Sequence, residues 1–97
     1  MKDLGHSGNR VFITVLGKDQ VGIIAWITTL LASQDANVLD ISQTILQEFF
    51  TMVMIVDLAA TKMGFKELQD ALISQGAERG LQVNVQHEDV FQFMHRI

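Results

Sequence analysis

An α+β domain with the element order βαββαβ is what this sequence predicts, and three observations lead there. Ninety-seven residues suffice for one domain and are too few for two. Apolar residues make up 48% of the chain, which excludes disorder and calls for a core. Along the chain the apolar spacing changes period, from short β-branched or alternating runs to helical stripes and back.

The first run, Arg10-Val-Phe-Ile-Thr-Val-Leu16, is short and β-branched and reads as a buried strand. Gly17-Lys-Asp-Gln-Val-Gly22 breaks it. Asp19 then serves as N-cap for a helix carrying Ile23, Ile24, Ile27, Leu30 and Leu31 at helical spacing and ending near residues 35–37. From Val38 to Gln47 the pattern alternates, with Leu39, Ile41 and Ile45 on one side and Asp40, Ser42 and Thr44 on the other. One polar and one apolar face mark an antiparallel strand. Glu48-Phe49-Phe50 reads as a turn into a returning strand over residues 51–60. Phe65, Leu68 and Leu72 form the stripe of a second helix over about residues 64–75, with Gly76 and Gly80 as stop signals. Leu81, Val83 and Val85, alternating with Gln82, Asn84 and Gln86, give the last strand.

This order is the split βαβ, or ferredoxin-like, arrangement: a four-stranded antiparallel sheet with both helices on one face. Its other face is expected to hold Thr14, Asp40, Ser42, Asn84 and their neighbours. Residues 1–9 are expected to be a flexible tail and residues 10–97 a single domain. Residues 88–97 read as a short C-terminal helical extension with Phe91, Met94 and Ile97 facing inward. A domain this small buries a modest share of its surface, so self-association is a natural way to add buried area.

Composition narrows the function classes. The net charge of −4 and scattered Lys and Arg residues oppose a nucleic-acid partner. Cysteine is absent, so disulfides and thiolate metal sites are impossible. No apolar run approaches the roughly 18 residues of a membrane span, and the polar N-terminus is unlike a signal peptide. The expectation is a cytoplasmic protein without a membrane partner.

The first β–α loop is the stretch best suited to ligand chemistry. Glycines at both ends of Gly17-Lys-Asp-Gln-Val-Gly22 allow a sharp turn and a close approach. The helix that follows directs free amides and its positive end toward a carboxylate, while Asp19 suits an ammonium group. Together these features match a zwitterion. The competing reading is structural: Asp19 caps the helix and the glycines only make the turn. His87, Glu88, Asp89 and His95 are metal-ligand types, but the two histidines lack helical i, i+4 spacing, and solvated or capping roles suit a strand end better. No metal or cofactor is therefore expected. Met52, Met54, Met63 and Met94, with Phe49 and Phe50, read as core or dimer packing, and Trp26 lies off the densest stripe of its helix.

The segment from Val15 to Ala25, followed by Ala36-Asn-Val-Leu-Asp-Ile-Ser-Gln43, resembles the ACT domain. That family pairs a Gly-x-Asp-x-x-Gly-Ile loop with an Asn-hydrophobic opening of the second strand. The stretch from Val11 through Val85 follows the family order, and residues 40–57 and 86–97 are similar to small stand-alone ACT proteins. The resemblance implies regulation by amino-acid binding, with two copies side by side, often through the second strand, and ligand held between one copy's first loop and its neighbour. Carried over by position, Gly17, Asp19, Gly22 and Ile23 form the loop side, and Asn37, Val38 and Asp40 come from the second strand. The implied partners are an amino acid or similar small metabolite, a second copy of the chain, and an unidentified protein target. The alternative is a ligand-free dimerisation module.

Two rival classes of the same topology fit less well. An RNA-recognition fold needs basic and aromatic residues on its third strand, and Phe50-Thr-Met-Val-Met-Ile55 lacks that pattern. An acylphosphatase needs an arginine fork in its phosphate loop, where this chain has only Lys18 beside the repelling Asp19. No nucleophile–base order is evident, and the chain is not expected to be an enzyme.

Overall fold

The computed structural model describes residues 9–89. The elements are β1 (Arg10–Lys18), α1 (Ile23–Ser33), β2 (Asn37–Leu46), β3 (Phe49–Asp57), α2 (Phe65–Glu78) and β4 (Gln82–His87). They form one antiparallel sheet of order β2-β3-β1-β4, with both helices on one face. This is the ferredoxin-like arrangement that the sequence predicts. Of the expected C-terminal extension over residues 88–97, Glu88 and Asp89 are described and helical, while the rest, with Phe91, Met94 and Ile97, lies outside the described residues, as do residues 1–8.

The core follows from period-two burial in the two central strands. Val11, Ile13 and Val15 of β1 lie opposite Val56, Met54 and Met52 of β3, and all six are fully buried. On the far side of β1, Val83 and Val85 continue the layer. Ile23, Ile27 and Leu31 of α1 and Leu68 and Leu72 of α2 close it from above. Burying one such aliphatic side chain contributes about 1.5–3 kcal/mol. The methionines at 52 and 54 are thus core residues, whereas Phe49 is exposed and Met94 lies outside the described residues.

Where the elements differ from the sequence reading, a local cause is visible. The β2–β3 register shifts between Val38 and Asp40, so Leu39 is the extra residue of a bulge. Val38, opposite Val56, packs on the core instead of Leu39, because strict alternation fails across a bulge. Phe49 and Phe50 belong to β3, since the turn needs only Gln47 and Glu48 and takes its bend from a left-handed Gln47.

Both helices end in a paired reverse bond from the two residues after the cap. In α1 the amides of Asp35 and Ala36 donate to the carbonyls of Ala32 and Leu31, and in α2 those of Gly80 and Leu81 donate to Ala77 and Gly76. Gly80 is therefore the stop signal of α2, at φ 75°. Gly76 is not a stop but an interior helix residue. A Cβ there would stand 2.5 Å from Val83 Cγ2, so glycine is required by the close approach of α2 to β4.

Glu88 opens the helical stretch after β4 and is buried, which corrects the expectation of a solvated group. Arg10 at the start of β1 reaches its Oε1 with both Nε and Nη2 at 2.6 Å. This pair ties the first strand to the end of the last.

Gly76→Ala separates helix propensity from packing. Propensity alone favours alanine by about 1 kcal/mol, but overpacking against the stiff, buried Val83 is expected to dominate. Chemical denaturation should show a loss of about 1–3 kcal/mol.

Candidate functional site

The loop between β1 and α1 is built by three constraints. Gly17 lies inside β1 opposite Phe50, and a Cβ on it would meet Leu81 Cδ2 at 2.7 Å and the Gly80 carbonyl at 3.2 Å. Its absence of a side chain lets the α2–β4 turn approach. Gly22 is the residue at the α1 N-cap and sits at φ 94° with open space around it, so backbone conformation selects glycine there. Ile23 is buried, 3% exposed, and its side chain belongs to the core rather than to the loop surface.

Asp19 does not cap α1. The helix begins at Ile23 with no side-chain cap, because Val21 and Gly22 intervene in a turn. Instead the Asp19 amide donates to the Glu48 carbonyl at 2.8 Å, strapping the loop to the β2–β3 turn, and its carboxylate side is exposed. A second strap runs from Gln20 Nε2 to the Arg79 carbonyl at 3.0 Å.

The β2 residues lie elsewhere. Asn37 is exposed opposite Asp57, which pairs in turn with Arg10. Val38 is half-buried against the core, and Asp40 is exposed just past the bulge, with its Oδ1 accepting the Ile41 amide at 2.9 Å. Asn37 thus aligns with the Arg10 end of β1, and Asp19 follows the Lys18 end. Eight residues of strand, about 26 Å, separate those ends. Within one chain Gly17, Asp19 and Gly22 come together, and Asn37, Val38 and Asp40 form a separate group.

A cluster that the sequence did not single out flanks the loop. The Trp26 indole N–H donates to Gln75 Oε1 at 2.8 Å, and the Arg79 guanidinium stacks over the same ring at 4.7 Å from its centroid. Arg79 Nη1 also donates to the Gln75 carbonyl at 3.0 Å. The off-stripe position of Trp26 was the available signal; its partners are distant in sequence. At the other end, His87 and Asp89 form a 3.6 Å pair while Glu88 turns to Arg10. Among the described residues no three ligand-type side chains gather as a metal site, and His95 lies outside them. No helix of the described residues is long and apolar enough to cross a membrane.

Comparison with known proteins places this geometry. The sequence profile of the ACT domain family matches residues 9–86. A UPF0237 protein of Methanocaldococcus jannaschii is 49% identical over 89 residues, spanning 92% of this chain and 99% of the relative. An ACT domain protein from Streptococcus pneumoniae superposes with a TM-score of 0.74 at 35% identity, covering 84% of this chain and 92% of the other. A candidate glycine cleavage system transcriptional repressor gives a TM-score of 0.70 at 19% identity, over 79% of this chain and 44% of that one, a likeness of fold.

Two substitutions test the loop's construction. Gly22→Ala should cost about 1–2 kcal/mol through its left-handed backbone. Asp19→Ala should change stability by no more than about 0.5 kcal/mol, as for a surface position, where loss of an N-cap would cost about 1 kcal/mol. Thermal or urea denaturation of both variants reads the difference.

Proposed function

Because the chain belongs to the ACT domain family, we propose that it is a non-catalytic regulatory domain that binds an amino acid or similar small metabolite as a homodimer. One observation carries this reading: the two halves of the candidate site lie at opposite ends of a sheet whose β2 edge is open among the described residues. If β2 pairs antiparallel with β2 of a second copy about a twofold axis, its Asn37 end falls beside the partner's hairpin turn. That turn is bonded to the first loop through Asp19 and Glu48. Each loop then faces the opening of the other copy's β2, and two equivalent sites form.

The loop chemistry supports a zwitterion. Asp19 offers an exposed carboxylate for an ammonium group, and the uncapped start of α1 offers amides for a carboxylate. A ligand held by both copies stabilises the dimer by mass action. Regulation then follows from a change in assembly or in the surface shown to a protein target. The acidic composition agrees with a partner other than nucleic acid, and the absence of cysteine agrees with a cytoplasmic setting.

A second reading, a ligand-free dimerisation module, draws on the loop itself. Packing accounts for Gly17 and Ile23, and backbone conformation accounts for Gly22, without any ligand. The two readings separate in thermal denaturation against the twenty amino acids at millimolar concentration. A ligand at 100 times its dissociation constant adds about 2.7 kcal/mol, which for a domain of this size raises the midpoint by roughly ten degrees. The expected outcome is such a rise for one or two amino acids, lost in Asp19→Ala. A flat response to all twenty leaves the dimerisation module.

A further inference from the structure

The first loop, the start of α1 and the end of α2 meet at one end of the sheet, and Arg79 stands where they join. Its carbonyl accepts the Gln20 side-chain amide at 3.0 Å, which ties it to the loop. Its guanidinium lies over the Trp26 ring, 4.7 Å from the centroid, and that ring is itself held. Trp26 Nε1 donates to Gln75 Oε1 at 2.8 Å, and Cη2 stands 3.5 Å from where a Cβ on Gly76 would lie. Among the described residues the guanidinium has one acceptor, the Gln75 carbonyl, 3.0 Å from Nη1. No carboxylate among those residues pairs with it, although Glu78 precedes it and the loop carries Asp19. Arg79 is exposed, so its remaining donors are open to a ligand. Lys18, the other cation at this end of the sheet, continues the β1 face turned away from the helices. A stacked, tethered arginine with unspent donors is a preorganised receptor for a planar anion.

We propose that Arg79 is a ligand-binding residue that receives a second carboxylate, so that the ligand of the first loop is a dicarboxylic amino acid. In the amino-acid reading above, on which this rests, Asp19 takes the ammonium group and the open amides of α1 take the α-carboxylate. Trp26 donates its own amide to the Gly22 carbonyl and so closes the first turn of α1. The base of its ring is therefore one turn, about 5.4 Å, from those open amides. That is the scale of a small dicarboxylate. An acidic side chain reaching Arg79 accepts the donors that Gln75 leaves free, as two parallel charge-assisted bonds. A neutral side chain leaves them to water. Because Trp26 and Gln75 already hold the guanidinium, little ordering cost remains to be met on binding. Asparagine and glutamine share the shape of the acids but carry no charge, so acid against amide isolates this contact.

Isothermal titration calorimetry of the full chain with the twenty amino acids at millimolar concentration tests this, beside Arg79→Gln and Arg79→Lys. Circular dichroism establishes that each variant is folded. The expected result is that aspartate or glutamate binds about ten- to a hundredfold more tightly than its amide. Arg79→Gln should abolish that preference and leave amide binding unchanged, and Arg79→Lys should keep only part of it. Where Arg79→Gln does not fold, Arg79→Lys carries the test, since losing the parallel pair must lower the preference. A cation at the end of α2 also favours the helix by itself. A fall in affinity equal for acid and amide would therefore mean that Arg79 only clasps the helices, and would overturn the proposal. Tighter binding of a neutral amino acid, unmoved by Arg79→Gln, would overturn it and leave the amino-acid reading standing. No binding of any of the twenty would overturn both.

Discussion

The rest of the structure turns on an unfilled sheet edge. With strand order β2-β3-β1-β4, β2 bonds to β3 on one side and, among the described residues, to nothing on the other. The two helices cover the central strands and the start of β2 but not its later part, so residues 40–46 are exposed on both faces. Ile41 and Ile45 point to the helix side, opposite buried Met54 and Phe50, yet are 39% and 52% exposed. A strand of ten residues with open backbone groups and exposed isoleucines is a site of association unless something blunts it. The bulge at Leu39 and the Asp40 carboxylate on the Ile41 amide blunt only its first part.

That edge gives the first loop its context. The Asp19–Glu48 bond makes the loop and the hairpin turn one mechanical unit, and the Gln20–Arg79 bond joins the end of α2 to it. Anything that orders the loop therefore acts directly on the hairpin that carries the edge strand. In the proposed dimer this is a short physical route between ligand and assembly: two hydrogen bonds and a turn, with no long-range path required. It also explains why glycine at 17 is structural, since the approach of the Gly80–Leu81 turn sets where the loop sits.

Much of this was legible from residue order. The β-branched run at 10–16, the alternation at 81–86 and the stripe at 65, 68 and 72 each specify an element through its own period, and all six elements occur. What escaped the sequence was decided by contacts between distant residues. Gly76 resembles a helix terminator, and only the approach of Val83 shows it to be a spacer. Glu88 resembles a solvated strand end until Arg10, 78 residues away in sequence, is seen against it. Asp19 resembles an N-cap because cap and loop residues share a chemistry, and a two-residue turn moves the helix start beyond its reach. For the candidate site, spacing identified the loop, but the 26 Å or so between it and Asn37 follows from strand register, which periodicity alone does not set.

The central claim is that β2 pairs with a second copy of itself. Amide hydrogen exchange of the folded protein, read residue by residue at micromolar concentration, tests it most directly, with β4 as the internal reference for an edge strand. The account predicts that amides on the outer side of β2 between Asp40 and Leu46 exchange as slowly as those of β3, and that dilution speeds them without affecting β3. Fast exchange at every second residue of β2, independent of concentration, would mean a free edge and would contradict it.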